Sequence, residues 1–299
     1  MIPKAHVLDW AAKTPWPEEQ QVEQDLLICR ALVAIFSDDF LRSRLAFRGG
    51  TALNKLFFSG SYRYSEDIDL VQTTPEPIGP TIDALRNALD PWLGRGAYQA
   101  KAHSHKMIYK VQANGGGVMR LNVEINTREH TPHFPHMEKP FFDGKRVVLG
   151  RGQNQDFSGR RDFSRQNSGR CFNATRAATS SISAAPLMNS TEWTRGRGQG
   201  MTHYLDMSGD VIHRAAAEER LFAKLKTMTM RDDMRSLVPV SQRHLVTEEK
   251  GKKAIGSIFS CLVGHLPGKS WAKSPEMIKD LGLQPDLEQG SRGHLWQPT

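Results

Sequence analysis

The chain has 299 residues, a formal charge of +8 and a sequence pI near 9.5. That length suits one large domain or a core with an accessory domain, and that charge favours a polyanionic partner, most simply RNA or nucleotide. A mean hydropathy of −0.50 without any long apolar run excludes a membrane span, and the opening MIPKAHVLDWAAKTPWPEEQQ has no apolar signal core. The three scattered cysteines, Cys29, Cys171 and Cys261, suit neither a disulfide framework nor a zinc set, so a reducing cytoplasmic setting is expected.

Residues 16–40 read as a helix. Val22, Leu26, Cys29, Val33 and Phe36 follow helical spacing, and Glu18, Glu19 and Glu23 stand near its start, where the helix dipole favours acids. The stripe is expected to support the turn after Leu45-Ala46-Phe47. From Phe47 to Leu70 the chain reads FRGGTALNKLFFSGSYRYSEDIDL, and the chemistry concentrates there. The turn at Gly49-Gly50 lets backbone N–H groups approach phosphate oxygens, and a short helix over 51–58 directs its positive end at them. This helix is expected to carry Lys55 outward, toward a nucleotide phosphate or simply into solvent. Arg63 can pair with a phosphate in two-pronged fashion, and Ser65 can orient Asp67 or bind a phosphate oxygen; bracing the turn is the structural alternative for both. In the strand that follows, Asp67 and Asp69 share one face while Ile68 and Leu70 point into the core. Paired carboxylates repel unless a cation lies between them, and hard oxygen donors suit Mg²⁺.

Residues 77–94 form a second amphipathic helix with Ile82, Leu85, Leu89 and Trp92 as its stripe. Strands over 107–112 and 118–126 make a hairpin around Asn114-Gly115-Gly116-Gly117. In the second strand Leu121, Val123 and Ile125 face one way, and Asn122, Glu124 and Asn126 the other. The histidines of HTPHFPH, with His103 and His105, are broken up by prolines and read as a polar loop rather than a metal site. Residues 151–200 hold no Val, Lys or Tyr, one Leu and one Ile, which reads as disorder. Helices are expected over 210–228, with Lys224, Lys226 and Arg231 exposed, and over 255–266, stopped by Pro267-Gly268; past Trp271 the tail is expected to be loosely ordered.

Taken singly, a glycine pair is usually a turn and an Asp-x-Asp usually a solvated strand face. The whole string is more specific. Gly49-Gly50-Thr51-Ala52-Leu53 followed by Arg63-Tyr64-Ser65-Glu66-Asp67-Ile68-Asp69-Leu70 resembles the AbiEii/AbiGii family of nucleotidyltransferase toxins, within the polymerase-β-like nucleotidyltransferase superfamily. The resemblance covers the first half of the chain well and parts of the C-terminal region loosely. It implies an α/β (α+β) protein: a nucleotidyltransferase core on a small mixed sheet over 1–150, a low-complexity segment over 151–202 and a helical lobe over 203–299. It implies transfer of a nucleoside monophosphate from an NTP to a hydroxyl of RNA, a tRNA 3′ end among them, or of protein. Gly49, Gly50 and Thr51 would hold the triphosphate, with Lys55, Arg63 and Ser65 near it. Asp67 and Asp69 would hold Mg²⁺ or Mn²⁺, and Glu124 is the candidate for the third carboxylate that the superfamily places on a neighbouring strand, against a plain surface glutamate. The toxin would have a cognate antitoxin and a role in phage defence.

The resemblance also bears on the low-complexity segment. Where the family has a helix with a lysine and then an Arg-Asp pair, the codon junctions from Arg165/Gln166 to Ile182/Ser183 permit TKLRALFQRNKGRDLFDL one base out of phase, eighteen residues in line. Two compensating frame slips are therefore expected, one between about 145 and 165 and one between about 188 and 203. The family's lysine would fall at Gln166/Asn167 and its aspartate at Ala178/Thr179, and the chain as written carries neither. The rival expectation is a frame-damaged relative that at most binds nucleotide or RNA.

Overall fold

A computed structural model describes residues 2–56, 64–130, 136–142, 147–152, 213–227, 239–245, 247, 263 and 266–283. The chain divides into two compact units, Met1–Ser158 with Val238–Ser241, and Gly159–Leu237 with Gln242–Thr299. The first is a mixed α/β structure. Its elements are α1 (Lys4–Ala11), α2 (Glu19–Ser37), α3 (Asp39–Arg44), β1 (Leu45–Arg48), α4 (Gly49–Leu56), β2 (Asp67–Gln72), α5 (Gly79–Leu93), β3 (Ala97–Lys101), β4 (Ser104–Gln112), β5 (Val118–Asn126), β6 (Met137–Phe142) and β7 (Val147–Gly152). The strands lie side by side in the order β3-β4-β5-β2-β1-β7-β6. β2 runs parallel to β5 and β1 parallel to β7, whereas β1–β2, β3–β4, β4–β5 and β6–β7 are antiparallel.

One face of the sheet carries the core. Ile68 and Leu70 from β2, Leu121, Val123 and Ile125 from β5, and Met107 and Tyr109 from β4 are buried with the apolar stripes of α2 and α5. The alternation read from the strands is therefore a real division into a packed face and an open one. Central β1 is buried at all four residues, as a strand flanked on both sides must be. Ile82, Leu85 and Leu89 of α5 are buried as expected, but Leu93 fills the last turn where Trp92 was expected. Trp92 lies half-buried and donates its indole N–H to the Ala88 carbonyl, 3.1 Å away. The glycine hairpin joins β4 to β5, with Gly116 at φ 92° and Gly117 at φ 83° making the left-handed turn.

Helix α2 does more than pack. Glu23, Gln24 and Asp25 are all buried, so Glu23 is not the solvent-facing dipole partner its position suggested. Its carboxylate accepts from the Asn114 N–H at 2.9 Å and from Asn114 Nδ2 at 2.6 Å, which fixes the hairpin turn. Gln24 Nε2 donates to the carbonyls of Glu66 and Arg120, each at 3.1 Å, and so ties the segments leading into β2 and along β5.

In the second unit the described residues form α6 (Arg214–Thr227) and α7 (Ser274–Asp280). Helix α7 lies in the tail expected to be loosely ordered, and the correction has a physical source. Glu218 of α6 is fully buried and accepts from Ser270 Oγ, the Trp271 N–H and Ser274 Oγ, while Trp271 stacks on Phe222 with ring centroids 6.2 Å apart. Of the helix expected over 255–266 only Val263 and Leu266 are described. Residues 153–212, with the whole out-of-frame stretch, and the side chains of Lys224, Lys226 and Arg231 lie outside the described residues. Among the described residues no helix is long and apolar enough to cross a membrane.

Candidate active site

The parallel pairing of β2 with β5 builds the site. It sets Asp67 opposite Asn122 and Asp69 opposite Glu124. The antiparallel neighbours extend the second row, β1 setting Arg48 opposite Asp69 and β4 setting Lys106 opposite Glu124. Residues in register share a face, so one side of the sheet carries one ladder of cation, acid, acid, cation: Lys106, Glu124 and Asp69, all partly exposed, and Arg48, which is buried. Like charges directly opposed in a sheet are unfavourable, and the two flanking cations offset the central pair.

The glycine turn and the acidic strand meet here. Gly49 sits at φ +81°, and a Cβ on it would lie 2.6 Å from Asp69 Oδ2. Only glycine can take that backbone angle without strain and leave room for the carboxylate. The two halves of the sequence motif are therefore one packed unit, with the N-terminal end of α4 beside Asp69. Thr51 and Asn54 of this helix are buried.

Each acid has its own surroundings. Asp67 Oδ1 accepts from Asn122 Nδ2 at 2.8 Å and the residue is half-buried. Glu124 uses both oxygens toward β4, one accepting from Ser104 Oγ at 2.6 Å and the other paired with Lys106 Nζ at 3.0 Å. Partial burial alone would raise the Glu124 pKa, but the Ser104 and Lys106 hydrogen bonds and the nearby Lys106 and Arg48 charges outweigh it and hold the carboxyl below the usual glutamate range. Arg48 donates to Glu129 Oε2 at 2.6 Å with both side chains almost wholly buried.

Lys55 does not face outward. Its ammonium meets Asp25 Oδ1 at 2.5 Å, with 8% of the lysine and 1% of the aspartate side chain exposed. Burial would lower the lysine pKa, but the Cys29 and Asp25 groups around it reverse this and drive it well above the usual value. Asp25 also accepts from Trp10 Nε1 at 2.8 Å, so Lys55 ties α4 down onto α2 instead of reaching for a phosphate. Ser65 is buried two residues before Asp67, and its hydroxyl has no hydrogen-bond partner among the described residues. Arg63 lies outside the described residues.

Arg48, Lys106, Ser104 and Asn122 were not singled out from sequence as site residues. Arg48 could have been noticed as the one charge ending the buried strand LAFR, and Lys106 as the polar partner in the alternation of HKMIYK. Among the histidines, His130 Nδ1 pairs with the Gln72 carbonyl at 3.0 Å, and His105 pairs with the Tyr98 hydroxyl at 2.6 Å; His133 lies outside the described residues. Among the described residues no three His, Cys, Asp or Glu side chains converge on a metal position. Ser104 and Lys106 of β4 hold both Glu124 oxygens.

Residues 30–145, which span the turn and all three acids, match the family described as "Nucleotidyl transferase AbiEii toxin, Type IV TA system". That stretch is therefore similar to an AbiEii-type nucleotidyltransferase domain. Solved structures resemble the chain more distantly. MenT4, a nucleotidyltransferase toxin from Mycobacterium tuberculosis H37Rv, aligns at 13% identity and TM-score 0.37 over 97% of this chain and 94% of its own. JHP933 from Helicobacter pylori aligns at 14% identity and TM-score 0.34 over 92% of this chain and 93% of its own. The CD-NTase CdnG from Bradyrhizobium diazoefficiens, determined with GTP, aligns at 11% identity and TM-score 0.26 over 95% and 89%. No curated protein matches the chain. The family match covers the whole ladder from Arg48 to Lys106.

Proposed function

We propose that the AbiEii domain transfers a nucleoside monophosphate from an NTP to a hydroxyl of an RNA acceptor, such as a tRNA 3′ end, as a cytoplasmic toxin restrained by a cognate antitoxin in phage defence. The acceptor hydroxyl gives up its proton to water as its oxygen forms a bond to the α-phosphorus, the bond to the β-phosphate oxygen breaks, and pyrophosphate leaves. The observation that carries this reading is the contact of Gly49 on Asp69, which brings a backbone turn suited to phosphate and a paired carboxylate to one point. Gly49, Gly50 and Thr51 present their N–H groups to the triphosphate. Ser65, whose buried hydroxyl is unpaired among the described residues, and Arg63 are assigned to the same phosphates. Lys55 is assigned to hold α4 in place through Asp25.

The donor set fits a divalent cation: three carboxylates on one face, two of them directly opposed. Asp67 and Asp69 would hold Mg²⁺ or Mn²⁺, joined by Glu124 once it leaves Lys106. When bound, the ion supplies charge neutralisation at the reacting phosphate. Asn122 keeps the Asp67 carboxylate oriented, and the Gly49 turn keeps Asp69 in place.

We also propose the division into a 1–150 core, a 151–202 segment and a 203–299 helical lobe, and two compensating frame slips across the middle segment. The absence of the family's lysine and Arg-Asp aspartate from the chain as written favours the second reading, an inactive relative, for this exact polypeptide. Loss of such charges costs orders of magnitude in rate. The test is transfer of label from α-labelled NTPs to bulk RNA, by this chain and by a version encoding TKLRALFQRNKGRDLFDL. The restored form is expected to label RNA, and its Asp67→Ala, Asp69→Ala double variant to lose all label. Label that persists in the double variant removes the proposed site.

A further inference from the structure

The two cations that flank the acidic pair are unlike each other. Arg48 is 4% exposed and is committed to Glu129, itself 1% exposed, so its position is fixed by the fold. Lys106 and Glu124 are each 32% exposed and meet at 3.0 Å on the open face. A half-exposed pair of this kind is weak, because water competes with it and a long lysine side chain must be ordered to make it. It is therefore displaceable where the Arg48 pair is not.

We propose that Lys106 is the built-in counter-cation of the acidic ladder, competing with a divalent ion for Glu124 and so setting how tightly the site takes metal. The inference rests on the metal-site reading above. Lys106 stands directly opposite Glu124, which stands directly opposite Asp69, so a cation entering between the two acids and the lysine ammonium draw on the same carboxylate from opposite sides. With Ser104 Oγ on the other Glu124 oxygen at 2.6 Å, β4 holds the whole carboxylate. The acids then cannot converge until Lys106 lets go. Once released, its ammonium remains on the same face as the acids, where the phosphates of an incoming nucleotide give it a new partner. By linkage, any anion that engages Lys106 favours metal at Glu124, and metal favours that anion by the same factor. Lys106 thereby acts as a positioning residue: it weakens the binding of metal alone and favours metal together with nucleotide.

The experiment is Mn²⁺ titration of the full chain without nucleotide, with free ion counted by electron paramagnetic resonance. Lys106→Met is expected to bind Mn²⁺ about three- to tenfold more tightly than the unaltered chain. Lys106→Arg, which keeps a cation opposite Glu124, is expected to restore the original affinity, and Asp69→Asn added to Lys106→Met to abolish the gain. A merely structural lysine would leave the affinity unchanged or weaken it. Equal affinity in the unaltered chain and Lys106→Met, both sensitive to Asp69→Asn, overturns the role of Lys106 and leaves the metal site standing. Binding by neither, or binding indifferent to Asp69→Asn, overturns the metal site and this inference with it. Should Lys106→Met fail to fold by thermal unfolding, Lys106→Gln and Ser104→Ala carry the same expectation, since each loosens the hold of β4 on Glu124.

Discussion

Glu218 and Glu124 show two uses of one side chain. Both have carboxyls held below the ordinary glutamate range against the opposing effect of burial. Glu218 is fully enclosed: Arg214 Nε, Ser270 Oγ and the Trp271 N–H meet it at 2.6 Å and Ser274 Oγ at 2.5 Å. Every donor comes from its own unit, and the bonds latch residues 270–274 onto α6. Glu124 is partly exposed; its two hydrogen-bond partners both come from β4, and Asp69 stands opposite it on β2. A closed carboxylate holds structure together. An open one, with a weak and displaceable partner, is available for chemistry.

The widest separation of the two is expected from truncation. Glu218→Ala strands a buried guanidinium and several donors at once, and should cost about 3–5 kcal/mol, read as a lower denaturant midpoint and lost hydrogen-exchange protection around Trp271. Glu124→Ala should cost under about 1 kcal/mol, since it removes a half-exposed pair, while lowering Mn²⁺ affinity. Equal losses would erase the distinction. The next effect concerns how Asp69 is kept in place. Gly49→Ala forces a side chain to φ +81° and into the Asp69 carboxylate, with an expected cost of about 1–3 kcal/mol and a fall in metal binding. An unchanged midpoint would mean that the turn does not depend on glycine.

The smallest effect is in pH. The folded-state pKa of Glu218 lies below its unfolded value, so its stabilisation is present above the unfolded pKa and fades as pH falls toward the folded one. Glu218→Gln removes that proton linkage, so its stability should fall less steeply with acid over this window than that of the unaltered chain. Parallel slopes would contradict the latch.

What could be read from sequence was local. Asp67 and Asp69 share a face because strand period alone decides it, and the glycine hairpin and the stripe of α5 rest on neighbouring residues. The rest depends on pairings across long stretches of chain. The opposition of Asp69 and Glu124 needs the parallel match of β2 with β5, which no local pattern specifies. Lys55 turned inward because Asp25, on a different helix, waits beneath α4. Glu23 left the solvent because Asn114 sits at the hairpin turn, and the tail ordered into α7 because Glu218 lies far upstream. Strand β3 was missed because all five of its residues are exposed, so no buried alternation marks it.

The central claim is that the Asp67–Asp69 face performs nucleotidyl transfer, and the most direct test is the labelled-NTP assay on the form carrying TKLRALFQRNKGRDLFDL, with and without Asp67→Ala and Asp69→Ala. RNA labelled by the first protein and not by the second is the predicted result. Labelling that survives the loss of both aspartates, or none from the restored form under Mg²⁺ or Mn²⁺ with all four NTPs, would contradict it.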